Sequence, residues 1–228
     1  MTSKKSGQTA LQLLLSLVCV FFIISFAVVF TLNFRPLYYF DMDYLNIAET
    51  SGYPDSEIKQ NYDVLIDYNS LFGPDRLEFP TLAMSDSGRI HFEEVKNIFV
   101  AVEILCIITF ILSVTGILWQ RKKKDVRYLK YTSILAIAIP AVLGILIGLN
   151  WDQFFVTFHH IFFNNDYWIF SPDTDPVIKI LPDTFFLHCA LMVLGLVVLG
   201  SLLCFIIYKA LSRSTAANSK KFAPRGSR

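Results

Sequence analysis

The sequence predicts an α-helical integral membrane protein in which four transmembrane helices carry a small extracytoplasmic cap. Three observations predict it. Hydrophobic residues make up 54% of the 228 and charged residues 17%, with a mean hydropathy of +0.50, outside the range of ordinary soluble domains. The apolar residues fall into four runs, near residues 11–33, 97–119, 131–149 and 186–208, each long enough to cross a hydrocarbon core of ~30 Å as a helix. Three clusters of basic residues flank these runs: Lys4 and Lys5, then Arg121, Lys122, Lys123, Lys124 and Arg127, then Lys209, Arg213, Lys220, Lys221, Arg225 and Arg228. By the positive-inside rule all three groups are cytoplasmic, an asymmetry concealed by the net charge of +1.

Residues 1–33 are read as a cytoplasmic N-terminus and a retained first span. The run is longer than the apolar region of a signal peptide and ends in Asn33-Phe34-Arg35-Pro36 without a small-residue cleavage site. Cys19 follows bulky Val18 and is not a lipoprotein-type acylation cysteine. Residues 34–96 face outward as the cap, rich in aromatics (Tyr38, Tyr39, Phe40, Tyr44, Tyr53, Tyr62, Tyr68, Phe72 and Phe79) and broken by Gly73-Pro74-Asp75 and Pro80 into short helices or strands. Alone it would be marginal, so it is expected to rest on the ends of the spans, its tyrosines at the interface.

Ser85-Asp86-Ser87-Gly88 signals a helix start, and nothing breaks that helix before the second span, residues 97–119. Residues 120–130 form a basic cytoplasmic loop that sets topology rather than binding nucleic acid. The third span, residues 131–149, contains Pro140 and Gly144, tolerated where neighbouring helices cover the backbone. Residues 150–185 return outside, with Phe154, Phe155, Phe158, Ile161 and Phe162 at near-helical spacing, the pattern of an interfacial amphipathic helix. Ser171-Pro172-Asp173-Thr174-Asp175-Pro176 is a turn-rich structural return. Residues 186–208 are the fourth span and residues 209–228 a basic cytoplasmic tail, whose Pro224-Arg225-Gly226-Ser227 resembles a protease-site remnant and is set aside. Cys19, Cys106, Cys189 and Cys204 all fall in spans, where they act as small hydrophobes.

The chemistry therefore lies on the outward face. The sequence has no Gly-x-Ser-x-Gly elbow, no His-Glu-x-x-His, no Gly-rich phosphate loop and no Walker lysine. It has four histidines. His91 stands about two turns before the second span, with Glu94 at i+3 on the same face to orient or charge-stabilise it. His159 and His160 project about 100° apart on a helix, so one of the two points into a shared site. His188, at the edge of the fourth span, reads as a helix-end residue. Glu103 lies inside the second span, where an ionisable group is either partnered or lines a polar cavity. Ligand sets at helical spacing are missing, so no metal or other cofactor is expected. Two histidines from separate segments instead meet the requirement of acid/base chemistry, in which one group accepts a proton and another donates one.

Three stretches carry a resemblance: Arg89-Ile90-His91-Phe92-Glu93-Glu94-Val95-Lys96-Asn97-Ile98-Phe99, Phe158-His159-His160-Ile161-Phe162-Phe163-Asn164-Asn165-Asp166-Tyr167-Trp168 and Asp175-Pro176-Val177-Ile178-Lys179-Ile180-Leu181-Pro182. Together with the four spans they make nearly the whole chain resemble the bacterial lipoprotein intramolecular transacylase family. The family pattern of a histidine, then an acid three residues on, then Val-Lys is met by His91, Glu94, Val95 and Lys96, with Glu94 where the family usually has the shorter Asp. Phe158 and His159 meet its Phe-His pair.

The resemblance implies a cytoplasmic-membrane enzyme whose partners are a diacylglyceryl lipoprotein substrate and the surrounding phospholipid. It would move the sn-2 acyl chain of that substrate to the α-amino group of the lipidated N-terminal cysteine. His91 and His159 are then the expected acid/base pair, Glu94 their support, and Lys96, Asn164, Asn165 or a backbone N–H the oxyanion donors. Phe162, Tyr167 and Trp168 would fold the acyl chains and exclude water. Two other classes compete: a non-enzymatic membrane adaptor or sensor that binds lipid or peptide, and a metal-dependent lipid hydrolase.

Overall fold

A computed structural model describes residues 2–123 and 125–221; Lys124 of the basic loop and the Pro224-Arg225-Gly226-Ser227 end of the tail lie outside the described residues. Nine helices follow in order among those described: α1 (Thr2–Asn33), α2 (Arg35–Tyr44), α3 (Ile47–Ser51), α4 (Asp55–Tyr68), α5 (Asp86–Lys123), α6 (Arg127–Leu149), α7 (Trp151–Phe162), α8 (Val177–Ile180) and α9 (Asp183–Lys221). Four of them, α1, α5, α6 and α9, are long and apolar enough to cross a membrane. At 38 residues, α5 runs about 57 Å at the helical rise against a ~30 Å hydrocarbon core, so its ends stand clear of the bilayer.

In the four-helix bundle α1 packs against α5, α6 and α9, and α6 packs against α9. Helices surrounded by lipid gain no hydrophobic drive from contact with each other, so close approach and polar cross-links hold them together. Both are present. A Cβ on Gly116 would collide with Leu15, so α5 and α1 touch backbone to side chain there, and Ala27 and Ala136 are buried where α1 and α6 meet. The buried Gln12 Oε1 accepts from Tyr128 N at 2.8 Å, and Ser201 Oγ donates to Ser133 O at 2.7 Å.

The cap is helical, with no strand among the described residues. Pro36 sits in the first turn of α2, where its missing N–H costs nothing. Asn46, at φ 52°, and Gly52, at φ 78°, adopt the left-handed turns that bracket α3. The cap core comprises Tyr38, Met42, Ile47, Ile58, Tyr62 and Leu65 from α2, α3 and α4, closed by Phe92 of α5, Val177 and Ile180 of α8 and Phe185 of α9. Tyr38 and Tyr62 stack with ring centroids 3.7 Å apart, and Tyr38 Oη donates to Ile180 O at 2.6 Å. Burial pushes both phenols up. Arg35 bridges α2 to α4 through Asp63 at 2.9 Å and through Asp67. The core thus welds the cap onto the first turns of α5 and α9.

Candidate active site

His91 is placed by a clamp one turn earlier in α5. Ser85 Oγ accepts from Gly88 N at 3.0 Å, the bond of an N-cap. The buried Asp175 accepts from Ser85 N and from Thr174 Oγ1, each at 2.7 Å. Its carboxylate lies so close to Gly88 that a Cβ there would collide with it. The turn ending in Asp175-Pro176 is therefore the brace that fixes where His91 emerges.

His159 comes from α7, whose first turn is capped by Asn150 Oδ1 accepting from Gln153 N at 3.0 Å. Its Nδ1 lies 2.8 Å from Phe155 O, one turn back. A carbonyl only accepts, so Nδ1 carries the proton and Nε2 keeps a free lone pair. The two segments converge: the rings of His91 and His159 stand 6.2 Å apart between centroids.

Aromatic rings wall the pair. Trp168 stacks on His159 at 4.5 Å and Phe155 leans on it at 4.3 Å. Phe163 meets the edge of His91 at 4.7 Å and Phe170 at 5.5 Å. Burial pulls the His159 imidazole below its ordinary value; the Phe155 carbonyl opposes that shift and neighbouring His160 adds to it. His91 Nδ1, Trp168 Nε1 and Trp151 Nε1 are buried without a hydrogen-bond partner, an unusual concentration in one aromatic box.

The remaining expected residues divide. Trp168 forms the wall, while Phe162 and Tyr167 are exposed beside it, as is Asn164. His160 is exposed, its ring T-shaped to Trp168 at 5.6 Å. Glu94 does not engage His91 as expected. Its two oxygens accept from Asn165 Nδ2 at 2.9 and 3.2 Å, while Asn165 Oδ1 accepts from Tyr167 N at 3.0 Å. The acid therefore latches the loop after α7 onto α5, because the loop offers a better-placed amide donor than the ring one turn above.

Lys96, also expected among the oxyanion donors, has its ammonium engaged by the loop after α4. Its Nζ donates to Gly73 O at 3.4 Å and Pro74 O at 2.5 Å and sits 4.5 Å over the Tyr68 ring, on a different face of α5 from His91. Glu103 accepts from Leu71 N at 2.6 Å.

A second histidine contact was missed. His188 Nδ1 lies 2.9 Å from both carboxylate oxygens of Asp41, which is fully buried, so His188 ties α9 to α2. No local signal foretells a pair 147 residues apart. Among the described residues no group of three or more His, Cys, Asp or Glu side chains is arranged to hold a metal ion.

Comparison with known proteins bears on this arrangement. A family profile described as lipoprotein intramolecular transacylase Lit matches residues 13–186. The structure is similar to that of the membrane-integral lipoprotein intramolecular transacylase Lit of Bacillus cereus, at 39% identity and a TM-score of 0.91, covering 93% of this chain and 99% of that one. It is similar also to two variants of that protein. One carries a histidine-to-arginine mutation (38% identity, TM-score 0.87, covering 95% of this chain and 97% of that one), the other a histidine-to-alanine mutation (38%, 0.86, 95% and 100%). The comparison with curated proteins returned no match. With the profile matched over most of its length and a relative 39% identical across 93% of it, this chain belongs to the lipoprotein intramolecular transacylase (Lit) family and is a membrane-integral acyltransferase.

Proposed function

We propose that the chain moves the sn-2 O-acyl chain of a diacylglyceryl lipoprotein onto the α-amino group of its own N-terminal cysteine, giving the N-acyl, S-monoacylglyceryl form, and that His91 and His159 carry the protons. The observation that supports this best is the convergence of two imidazoles from separate helices, 6.2 Å apart in an aromatic box, one with its tautomer fixed so that Nε2 is left as the base.

The proton balance calls for two such groups. Starting from the α-ammonium, whose ordinary pKa is about 7.7 to 8.0, nitrogen loses two protons on its way to the amide. One is released to solvent, and the other ends on the glyceryl oxygen as the C–O ester bond breaks. His159 takes the first, freeing the amine to attack the ester carbonyl. His91 takes the second and returns it to the departing oxygen. Donor and acceptor belong to one molecule, so the chief benefit is orientation, and no acyl-enzyme is required. Trp168, Phe155 and Phe163 keep water from the carbonyl, since water would divert the chain to free fatty acid. With Lys96 engaged elsewhere, Asn164, Asn165 or the unpartnered Trp168 Nε1–H would donate to the developing oxyanion.

In the same reading the protein sits in the bacterial cytoplasmic membrane with both termini cytoplasmic and the cap and histidines on the extracytoplasmic face. The basic residues Arg121, Lys209 and Arg213 gather at the helix ends opposite the cap, which supports this orientation.

The test is tandem mass spectrometry of a diacylglyceryl lipopeptide incubated with the protein in bilayers. The expected product has the substrate's total mass with one acyl chain now on nitrogen. An adaptor would leave the lipopeptide unchanged, and a metal-dependent hydrolase would release free fatty acid and stop in chelator; either result sinks the proposal.

A further inference from the structure

Phe72 is 95% exposed, the most exposed large apolar side chain among the described residues, at the tip of the loop after α4. A free ring on a loose surface loop would call for no account, but this loop is fastened. Leu71 N donates to Glu103, Lys96 Nζ donates to the carbonyls of Gly73 and Pro74, and the same ammonium lies over Tyr68. The loop also closes on itself: Gly73 N donates to Ser70 O at 3.0 Å, Ser70 Oγ to Asp67 O at 3.0 Å and Asn69 Nδ2 to Leu65 O at 2.9 Å. A Cβ on Gly73 would collide with the carbonyl oxygens of Asp67 and Tyr68, so only glycine permits the fold-back.

The position along α5 gives the depth. Glu103 follows Lys96 by seven residues, about 10 Å along the axis, and stands among the exposed Ile104, Leu105, Ile107 and Ile108 of the apolar stretch. A backbone N–H carried down to that level leaves water behind and needs an acceptor from the protein. Glu103 supplies it, which accounts for a carboxylate inside an apolar run.

We propose that the loop of residues 69–74 dips into the bilayer leaflet on the cap side and that Phe72 sits among lipid acyl chains, an anchor that sets the height of the cap. The proposal rests only on the chain's being membrane-integral. His91 lies twelve residues from Glu103 on the same helix, about 18 Å, so anchor and histidine site ride on one rod at fixed spacing.

Depth-resolved fluorescence tests it. Phe72→Trp is placed in bilayers containing lipids brominated on their acyl chains, and the emission added relative to the parent chain is read. The expected addition is blue-shifted, quenched by chain bromines and spared by aqueous iodide. Quenching by iodide and not by bromines overturns the proposal and marks Phe72 as a water-facing knob suited to a protein partner. Adding Glu103→Ala should release the loop, so that bromine quenching falls and iodide quenching rises. An unchanged pattern in that double variant, whose folding is checked by size-exclusion chromatography, would overturn the role given to Glu103.

Discussion

Two histidine pairings sit at the cap end of this bundle, and they are built in opposite ways. His188 places Nδ1 against both oxygens of Asp41, a carboxylate with no exposure of its own. His159 places Nδ1 against a neutral carbonyl in its own helix, which leaves Nε2 unprotonated in the neutral ring, and stands 6.2 Å from a second imidazole with Trp168 stacked on it. A buried carboxylate fixes a ring by satisfying itself; its interaction is spent on holding α2 to α9. A carbonyl fixes the tautomer while leaving the proton free to move. The first arrangement is a staple and the second suits proton transfer, although both begin from the same side chain near the same end of a span.

Breaking the second pairing should have the largest effect. His91→Ala and His159→Ala are each expected to lower formation of the N-acyl product by about 10²–10⁴-fold while thermal unfolding in detergent stays near that of the parent. Breaking the first should do the reverse: His188→Ala leaves Asp41 buried without its donor, a loss on the order of 3 kcal/mol. It should appear as a lower unfolding temperature, with turnover per folded molecule retained. If His188→Ala removed turnover without lowering stability, the contrast between staple and shuttle would fall.

Smaller changes sharpen the contrast. Glu94→Ala should cost about tenfold in kcat, because the loop carrying Trp168 loses its latch and the site loses orientation, and Glu94→Gln, which still offers an acceptor to Asn165, should recover most of it. The pH profile supplies a further test. The His159 imidazole is depressed chiefly by burial, so its base form survives below the ordinary 6.5 and activity is lost as pH falls through the depressed value. Trp168→Ala admits water beside that ring and should move the acid limb of the profile upward, toward 6.5; a limb that stays in place would show that the wall does not tune the base. Lys96→Ala should be the mildest, costing about 1 kcal/mol of stability through the lost carbonyl bonds and the Tyr68 contact, with kcat unchanged.

The same contrast explains what could be read from the chain alone. The spans were legible because runs of some twenty apolar residues admit few other structures, and the helix start at Ser85 because an N-cap is a local signal. That only one of His159 and His160 faces the site was legible because adjacent residues on a helix diverge by about 100°; that it is His159 came from the resemblance, through the Phe158-His159 pair. The partners of the charged groups were not legible. Helical phase places Glu94 near His91, yet Asn165, from a loop 71 residues on, takes its oxygens. Lys96 belongs to the same motif as His91 but bonds carbonyls at Gly73 and Pro74. Asp41 gave no sign of His188. Each of these contacts depends on how the cap docks on the bundle, which spacing along one element does not encode.

The central claim is that His91 and His159 act as one proton-carrying unit. It is tested most directly by comparing N-acyl product formation, by tandem mass spectrometry, for His91→Ala, His159→Ala and the double variant in the same bilayers. Groups that act as a unit are grossly non-additive. The account predicts that each single variant loses nearly all catalysis and that the double variant is no worse than either. Turnover near the parent level in either single variant, or losses that multiply in the double, would contradict it.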